Sequence, residues 1–188
     1  MEQVSKRKGA AVGSRTRSIA FVGLSIALMA VSAWVSIPLG PIPFTLQTFV
    51  MMFALLVLTP KQCLAAIAGY LLLGAIGVPV FSSMRGGIGI LMGPTGGFLW
   101  GWLVAAAVVL AIGAALGNRL PRSKPWVMAL LFTVLSYSCG WAQYMAVSHL
   151  DPLAAFLTGV APFVLIEAAK LAAAVVCARA VGRAVPNA

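Results

Sequence analysis

The sequence predicts an all-α, polytopic membrane protein with six transmembrane helices and both termini in the cytoplasm. Three observations carry that prediction: charges are scarce, apolar runs reach spanning length, and basic residues gather at one set of helix ends. Of 188 residues, 62% are hydrophobic and only 9% charged, against about 25% charged in soluble domains. A net charge of +10 would suggest a nucleic-acid partner in a soluble protein, but here the positions of the charges argue otherwise. With a cytoplasmic amino terminus, each of the 13 basic residues except Arg85 and Lys170 falls on the inner side, as the positive-inside rule requires. The expected surroundings are a lipid bilayer, with no nucleic acid.

Residues 1–17 carry Lys6, Arg7, Lys8, Arg15 and Arg17 among glycine and serine and are expected to form a disordered, basic cytoplasmic tail. A single six-helix transmembrane domain is expected over 18–183, with a short cytoplasmic tail at 184–188. The first span runs from Ser18 to about Val35. A basic start before an apolar run also resembles a signal peptide, but the five spans that follow favour an uncleaved first helix. Ala20, Gly23, Ala27 and Ala30 recur at steps of three and four, a smooth stripe suited to close packing against another helix, in this chain or a partner.

Residues 36–47 hold three prolines and a glycine, cannot continue a helix, and are expected to be an ordered apolar loop. The second span, Thr45 to Leu58, is short. The third, Gln62 to about Val80, has Tyr70 near its middle. The glycine-rich stretch Phe81 to Gly97 follows, irregular backbone of a kind tolerated at membrane depth only inside protein or beside a cavity. The fourth span, Phe98 to Leu116, is bounded by Gly97/Gly101 and Gly113/Gly117, each a GxxxG pair that predicts close helix contact. A basic connector, Asn118 to Trp126, leads to the fifth span, Trp126 to about Ser148. His149-Leu-Asp151-Pro turns the chain into the sixth, Leu153 to Cys177.

Glu167-Ala-Ala-Lys170 lies inside that last apolar run. A charge at the bilayer centre costs on the order of 3 kcal/mol on insertion scales, so two of them imply compensation. Spacing i, i+3 puts both on one helix face, where they pair and also offer a ligand an acceptor and a donor. A self-satisfied pair that only fixes packing is the competing reading. Both irregular loops fall on the outer side, so the pair is expected to floor an outward-facing cavity, with Tyr144 high on its wall.

Cys63, Cys139 and Cys177 show no paired spacing, so neither a disulfide framework nor a metal site is expected. No nucleophile elbow, zinc-protease motif, Walker A sequence or dinucleotide fingerprint is present. The chain is therefore expected to be no enzyme, to need no cofactor and to bind no ATP. An intramembrane enzyme using Glu167 would require a second catalytic group that the sequence does not offer.

Several ordered motifs then converge. Gly40-Pro-Ile-Pro-Phe44-Thr45-Leu-Gln47, the run Tyr70 to Phe81, Arg85-Gly86-Gly, Gly93-Pro-Thr-Gly-Gly-Phe98 and an acidic-x-x-Lys in the last helix closely resemble the BioY biotin transporter family, substrate-capture subunits of energy-coupling factor transporters. The resemblance covers nearly the whole chain from about Ala20. It implies a multi-pass protein of the bacterial cytoplasmic membrane that binds biotin from outside, and partners comprising one membrane-embedded coupling protein and two ATPases. A capture subunit for another small vitamin is the alternative within that class. The implied substrate residues are Glu167, Lys170, Arg85, Gly86, Gln47, Phe44, Thr45, Tyr70, Phe81 and Tyr144; the implied partner surface is Ala20, Gly23, Ala27 and Ala30. The family pattern carries Asp where this chain has Glu167. Glu167 and Lys170 suit the ureido ring, with Arg85 or loop amides on the carboxylate, and the reverse orientation suits the same charges.

Overall fold

The computed structural model describes residues 2–38, 40–117 and 122–184, the side chains of 2–14 and 184 excepted. Helix α1 spans Glu2–Trp34, so the backbone at 2–17 is helical where a disordered tail was expected; its candidate membrane-crossing part begins at Arg15. The tail at 184–188 lies, beyond Ala184, outside the described residues, as does Arg119 of the basic connector. The proline loop closes as a short hairpin: β1 (Ser36–Ile37) pairs antiparallel with β2 (Phe44–Thr45), Ser36 opposite Thr45 and Ile37 opposite Phe44. Helix α2 (Gln47–Val57) follows directly.

Helix α3, Pro60–Ala75, begins on a capping box in which Thr59 and Gln62 satisfy each other's backbone N–H and proline occupies the first turn, where its missing donor is harmless. It ends sooner than the expected Val80. Gly77 takes φ +102°, its N–H donates to the Gly74 carbonyl and that of Val78 to the Leu73 carbonyl. This is a Schellman closure, which satisfies the last carbonyls and stops the helix. The stretch beyond holds a 3-10 turn at Ser82–Met84 and the short α4, Ile88–Met92.

Helices α5 (Gly96–Leu116) and α6 (Lys124–Ser148) make the most extensive contact in the molecule. Glycine is required there by close approach: a Cβ on Gly97 would stand 2.5 Å from the Cys139 carbonyl oxygen, and one on Gly101 2.7 Å from that of Ser136. The predicted tight contact at Gly97/Gly101 is thus found, against α6. The sixth apolar run is broken, in contrast to the continuous helix expected. Helix α7 (Pro152–Gly159), capped by Asp151, is followed by a 3-10 turn at Ala161–Phe163 and then α8 (Val164–Ala184). Pro162 supplies no backbone N–H, so one continuous ladder is not available there.

Among the described residues four stretches are long and apolar enough to cross a membrane: Arg15–Trp34, Gly96–Leu116, Lys124–Ser148 and Pro152–Arg183. At 11 and 16 residues, α2 and α3 are shorter than the roughly 20 that a full crossing needs. They are nevertheless central. Met51, Met52 and Leu55 of α2 and Ile67 and Tyr70 of α3 pack with Met29, Trp102, Val109 and Phe132 in one buried core. Many remaining apolar side chains point outward, including Leu24, Leu72, Leu130 and Leu165, the pattern of a protein whose outer solvent is lipid.

The two irregular loops meet at one end of the bundle. Trp34 Nε1 donates to the Pro79 carbonyl at 2.9 Å, and the Ser36 and Ser82 hydroxyls are 2.8 Å apart. Gln143 of α6 holds the glycine stretch through the Leu91 and Gly93 carbonyls. Because the α5–α6 contact is backbone against backbone at Gly97, Gly97→Val is expected to destabilise the protein by about 1–3 kcal/mol through overpacking. Gly23→Ala, which meets nothing within 4 Å, is expected to leave it unchanged; thermal unfolding in detergent compares the two.

Candidate functional site

A cavity opens beneath the meeting point of the two loops, walled by the hairpin, α2, the glycine stretch, α5, α6 and α8. Glu167 and Lys170 form its polar floor, each nine-tenths or more buried. The break before Val164 places Glu167 in the first turn of α8, where the positive end of the helix macrodipole favours a carboxylate. A continuous helix from Leu153 would have denied it that support.

Lys170 Nζ lies 2.6 Å from Glu167 Oε1 and donates also to the Thr45 carbonyl at 2.6 Å and the Thr48 hydroxyl at 3.0 Å. Three acceptors use the three N–H bonds of an ammonium. Its charge further sits 4.3 Å from the centroid of the Phe44 ring, a cation–π distance. Thr48 donates to Glu167 Oε1 at 2.9 Å. Glu167 Oε2, by contrast, is buried with no hydrogen bond of ordinary geometry among the described residues, although the Tyr137 hydroxyl interacts with the same carboxylate. An unsatisfied buried carboxylate oxygen is costly, and it marks where a ligand donor is wanted.

Of the residues singled out in the sequence, Phe44, Thr45, Gln47, Phe81, Arg85, Glu167 and Lys170 line this cavity together. Tyr70, Gly86 and Tyr144 do not. Tyr70 stands behind Gln47, accepting from its side-chain amide and donating to the Val80 carbonyl at 2.8 Å, so it orients Gln47 and the loop from below. Gly86 packs on backbone, where a Cβ would stand 2.4 Å from the Val78 carbonyl oxygen. Tyr144 is buried in a separate cluster with Ile42, Ala155 and Phe163. Arg85 is exposed and donates through Nε to the Ser82 carbonyl. Ser83 and Met84 before it both take positive φ, 59° and 54°, a turn that lets the Phe81 N–H reach the Arg85 carbonyl at 2.9 Å.

Sequence reasoning missed Thr48, Thr95, Phe98, Trp102, Tyr137 and Phe163. Thr48 had a signal, a hydroxyl one residue beyond the Phe44-Thr-Leu-Gln47 run on the first turn of an apolar helix. Tyr137 lies seven residues before Tyr144, two helical turns away on the same face; the break in the last apolar run determines which of the two meets Glu167. Tyr137 is held edge-to-face by Phe98 at 5.3 Å. In the stripe on α1, Ala20, Gly23 and Ala27 are exposed, while Ala30 is buried in this chain's own core.

Among the described residues no cluster has metal-ligand geometry, and Cys63, Cys139 and Cys177 are free thiols.

Comparison with known proteins gives consistent results. The model of the "BioY family" matches residues 3–187. The chain is 38% identical over 164 residues to the biotin transporter BioY of Thermotoga maritima, covering 86% of this chain and 94% of that protein. It is 36% identical over 167 residues to the probable biotin transporter BioY of Pyrococcus horikoshii, covering 87% and 95%. The fold superimposes with a TM-score of 0.83 on the crystal structure of the S-component for biotin from an ECF-type ABC transporter, at 21% identity over 91% of this chain and 93% of that one.

The pair makes a stability prediction of its own. Lys170→Met leaves Glu167 buried and uncompensated and is expected to cost about 3–5 kcal/mol. The double variant Glu167→Met/Lys170→Met removes both charges and is expected to recover most of that loss in thermal unfolding.

Proposed function

The chain belongs to the BioY family, and from that premise we propose that it is the biotin-capturing subunit of an energy-coupling factor importer. It is a transport protein and not an enzyme. The observation that carries the site assignment is Glu167 Oε2, left without an ordinary hydrogen bond beside a fully engaged Lys170. Biotin's ureido ring brings two N–H donors to such an acceptor, its bicycle matches an apolar wall of Phe44, Phe81, Phe98 and Trp102, and its valerate carries an anion. Lys170 has no spare N–H, whereas Arg85 lines the same cavity with its terminal nitrogens free of acceptors among the described residues. That asymmetry favours the ureido ring on Glu167 and the carboxylate toward Arg85 over the reverse orientation. Lys170 then acts by holding the Glu167 carboxylate in place.

The finer architecture follows the same reading. Six crossings, with α2 and α3 as the two short ones, place both termini in the cytoplasm of a bacterial cell and both loops outside, in line with the distribution of basic residues. Biotin enters between the hairpin and the glycine stretch, and those loops close over it, excluding water from the ion pair. One coupling protein and two ATPases supply the energy. The outward part of the α1 stripe, Ala20, Gly23 and Ala27, is the docking surface for the coupling protein, because small side chains let helices approach closely; Ala30 serves the chain's own core.

Isothermal titration of the purified chain with biotin, without ATP or partners, tests the capture role. Lys170→Ala is expected to weaken binding roughly ten- to a hundred-fold, because the charge-assisted hydrogen bond from biotin to Glu167 loses its alignment, whereas Lys61→Ala leaves it unchanged. Equal affinities for wild type and a folded Lys170→Ala variant would reduce the pair to a structural role.

Binding and transport are expected to separate at α1. Gly23→Leu or Ala27→Leu should bind biotin normally, fail to copurify with the coupling protein, and lose ATP-dependent uptake. Intact complexes that no longer bind biotin would overturn the division.

A further inference from the structure

A second, wider cavity runs along the outside of the molecule between α6 and the broken α7–α8 pair. Its walls are almost wholly apolar: Leu130 and Val134 of α6, Phe156 of α7 and Val164 of α8 are all substantially exposed along it. Trp126 and Trp141 stand near its two ends, fifteen residues or roughly 22 Å apart on the α6 axis. That distance is most of one bilayer's ~30 Å hydrocarbon core, and tryptophans at both ends match the aromatic belts at membrane interfaces.

The two ends differ in charge. At the Trp126 end, Arg179 stacks 5.7 Å from the Trp126 ring centroid and reaches the Arg122 carbonyl, while Lys124 is turned toward α5, where its Nζ donates to the Gly117 carbonyl at 2.7 Å. All these acceptors are neutral. The cations at this end have no carboxylate partner among the described residues, since the ion pair found there joins Lys170 to Glu167. Among the described residues the Trp141 end has no such cluster; Trp141 donates to the Pro152 carbonyl beside the Asp151 cap.

We propose that this groove binds one anionic phospholipid, its headgroup on Arg179 and one acyl chain laid along α6 toward Trp141. An apolar trough of that length open to the bilayer suits an extended acyl chain, and the unneutralised basic end selects the headgroup. Tyr137 and Glu167 line both this groove and the cavity beneath the loops, so the acyl chain packs on the back of the binding-site wall. Occupancy by lipid does not require biotin, although the two spaces share those two residues.

Native mass spectrometry of the detergent-purified chain, titrated with phosphatidylglycerol or phosphatidylcholine of identical acyl chains, tests the proposal. One phosphatidylglycerol per chain is expected to be retained in preference to phosphatidylcholine. Arg179→Gln should cut that preference about fivefold, the worth of one basic residue near an anionic headgroup. Val134→Trp fills the trough from an exposed position and should abolish retention of both lipids, with unchanged thermal unfolding as the check on folding. Equal retention of the two lipids by wild type, or retention untouched by Val134→Trp, would overturn the assignment. So would efficient cross-linking of Ser138→Cys to a coupling subunit or a second copy in the assembled transporter, which would give the groove to a protein.

Discussion

The Glu167–Lys170 pair sets the terms for the rest of this molecule. Removing two charges from water costs several kcal/mol per ion, and their attraction offsets that only when the remaining hydrogen-bonding capacity is also met. Here the ammonium is saturated by Thr45, Thr48 and Glu167 and faces the Phe44 ring. The carboxylate has hydrogen bonds of ordinary geometry on one oxygen only. The elements that supply these partners, the β2 strand and the first turn of α2, must therefore sit directly over α8, and α2 and α8 are indeed among the most closely packed pairs. The incompleteness on Oε2 sets this pair apart from an ion pair whose polar groups are all met within the protein.

The break between α7 and α8 serves this pair. It turns an apolar run into two helices and so brings a helix start to Glu167, adding the macrodipole's favourable end. It also opens space: Gly159 lies against Tyr144 and Ile42, with a Cβ there only 2.9 Å from the Tyr144 ring. The hairpin's Ile42 thereby anchors onto α6 and α7, so the proline loop is tied to the same helix break that positions the acid. Irregular backbone in such a setting is affordable because its polar groups are met inside the protein.

Glycines do the complementary work at the loop end. Gly74 leaves room for the Phe81 ring, which a Cβ would meet at 2.0 Å, and its carbonyl accepts from Gly77 and Gly87. Phe81 can then stack edge-on against Tyr70 at 5.6 Å, while Tyr70 holds Gln47. A line of contacts thus runs from the end of α3 through the glycine stretch to the cavity wall. The two loops are tied to each other through the Ser36 and Ser82 hydroxyls.

The sequence by itself determined the membrane class, the irregular loops, the tight contact at Gly97 and Gly101, and the charge pair on the cavity floor. These are legible because they depend on composition or on short spacings: a charge pair at i, i+3 in an apolar run announces itself whatever surrounds it. The tertiary structure alone decided which aromatic residues face that pair. Tyr144 and Tyr137 share a helix face and differ only in depth, and depth is set by the break at Val160–Phe163 on another helix. Tyr70 and Gly86 likewise turned out to stand behind the cavity, because the Schellman closure after Ala75 folds their segment back on itself. Local sequence fixes which side chains can do chemistry; how far each element rises before it breaks, a balance of helix capping against packing, decides which of them meet.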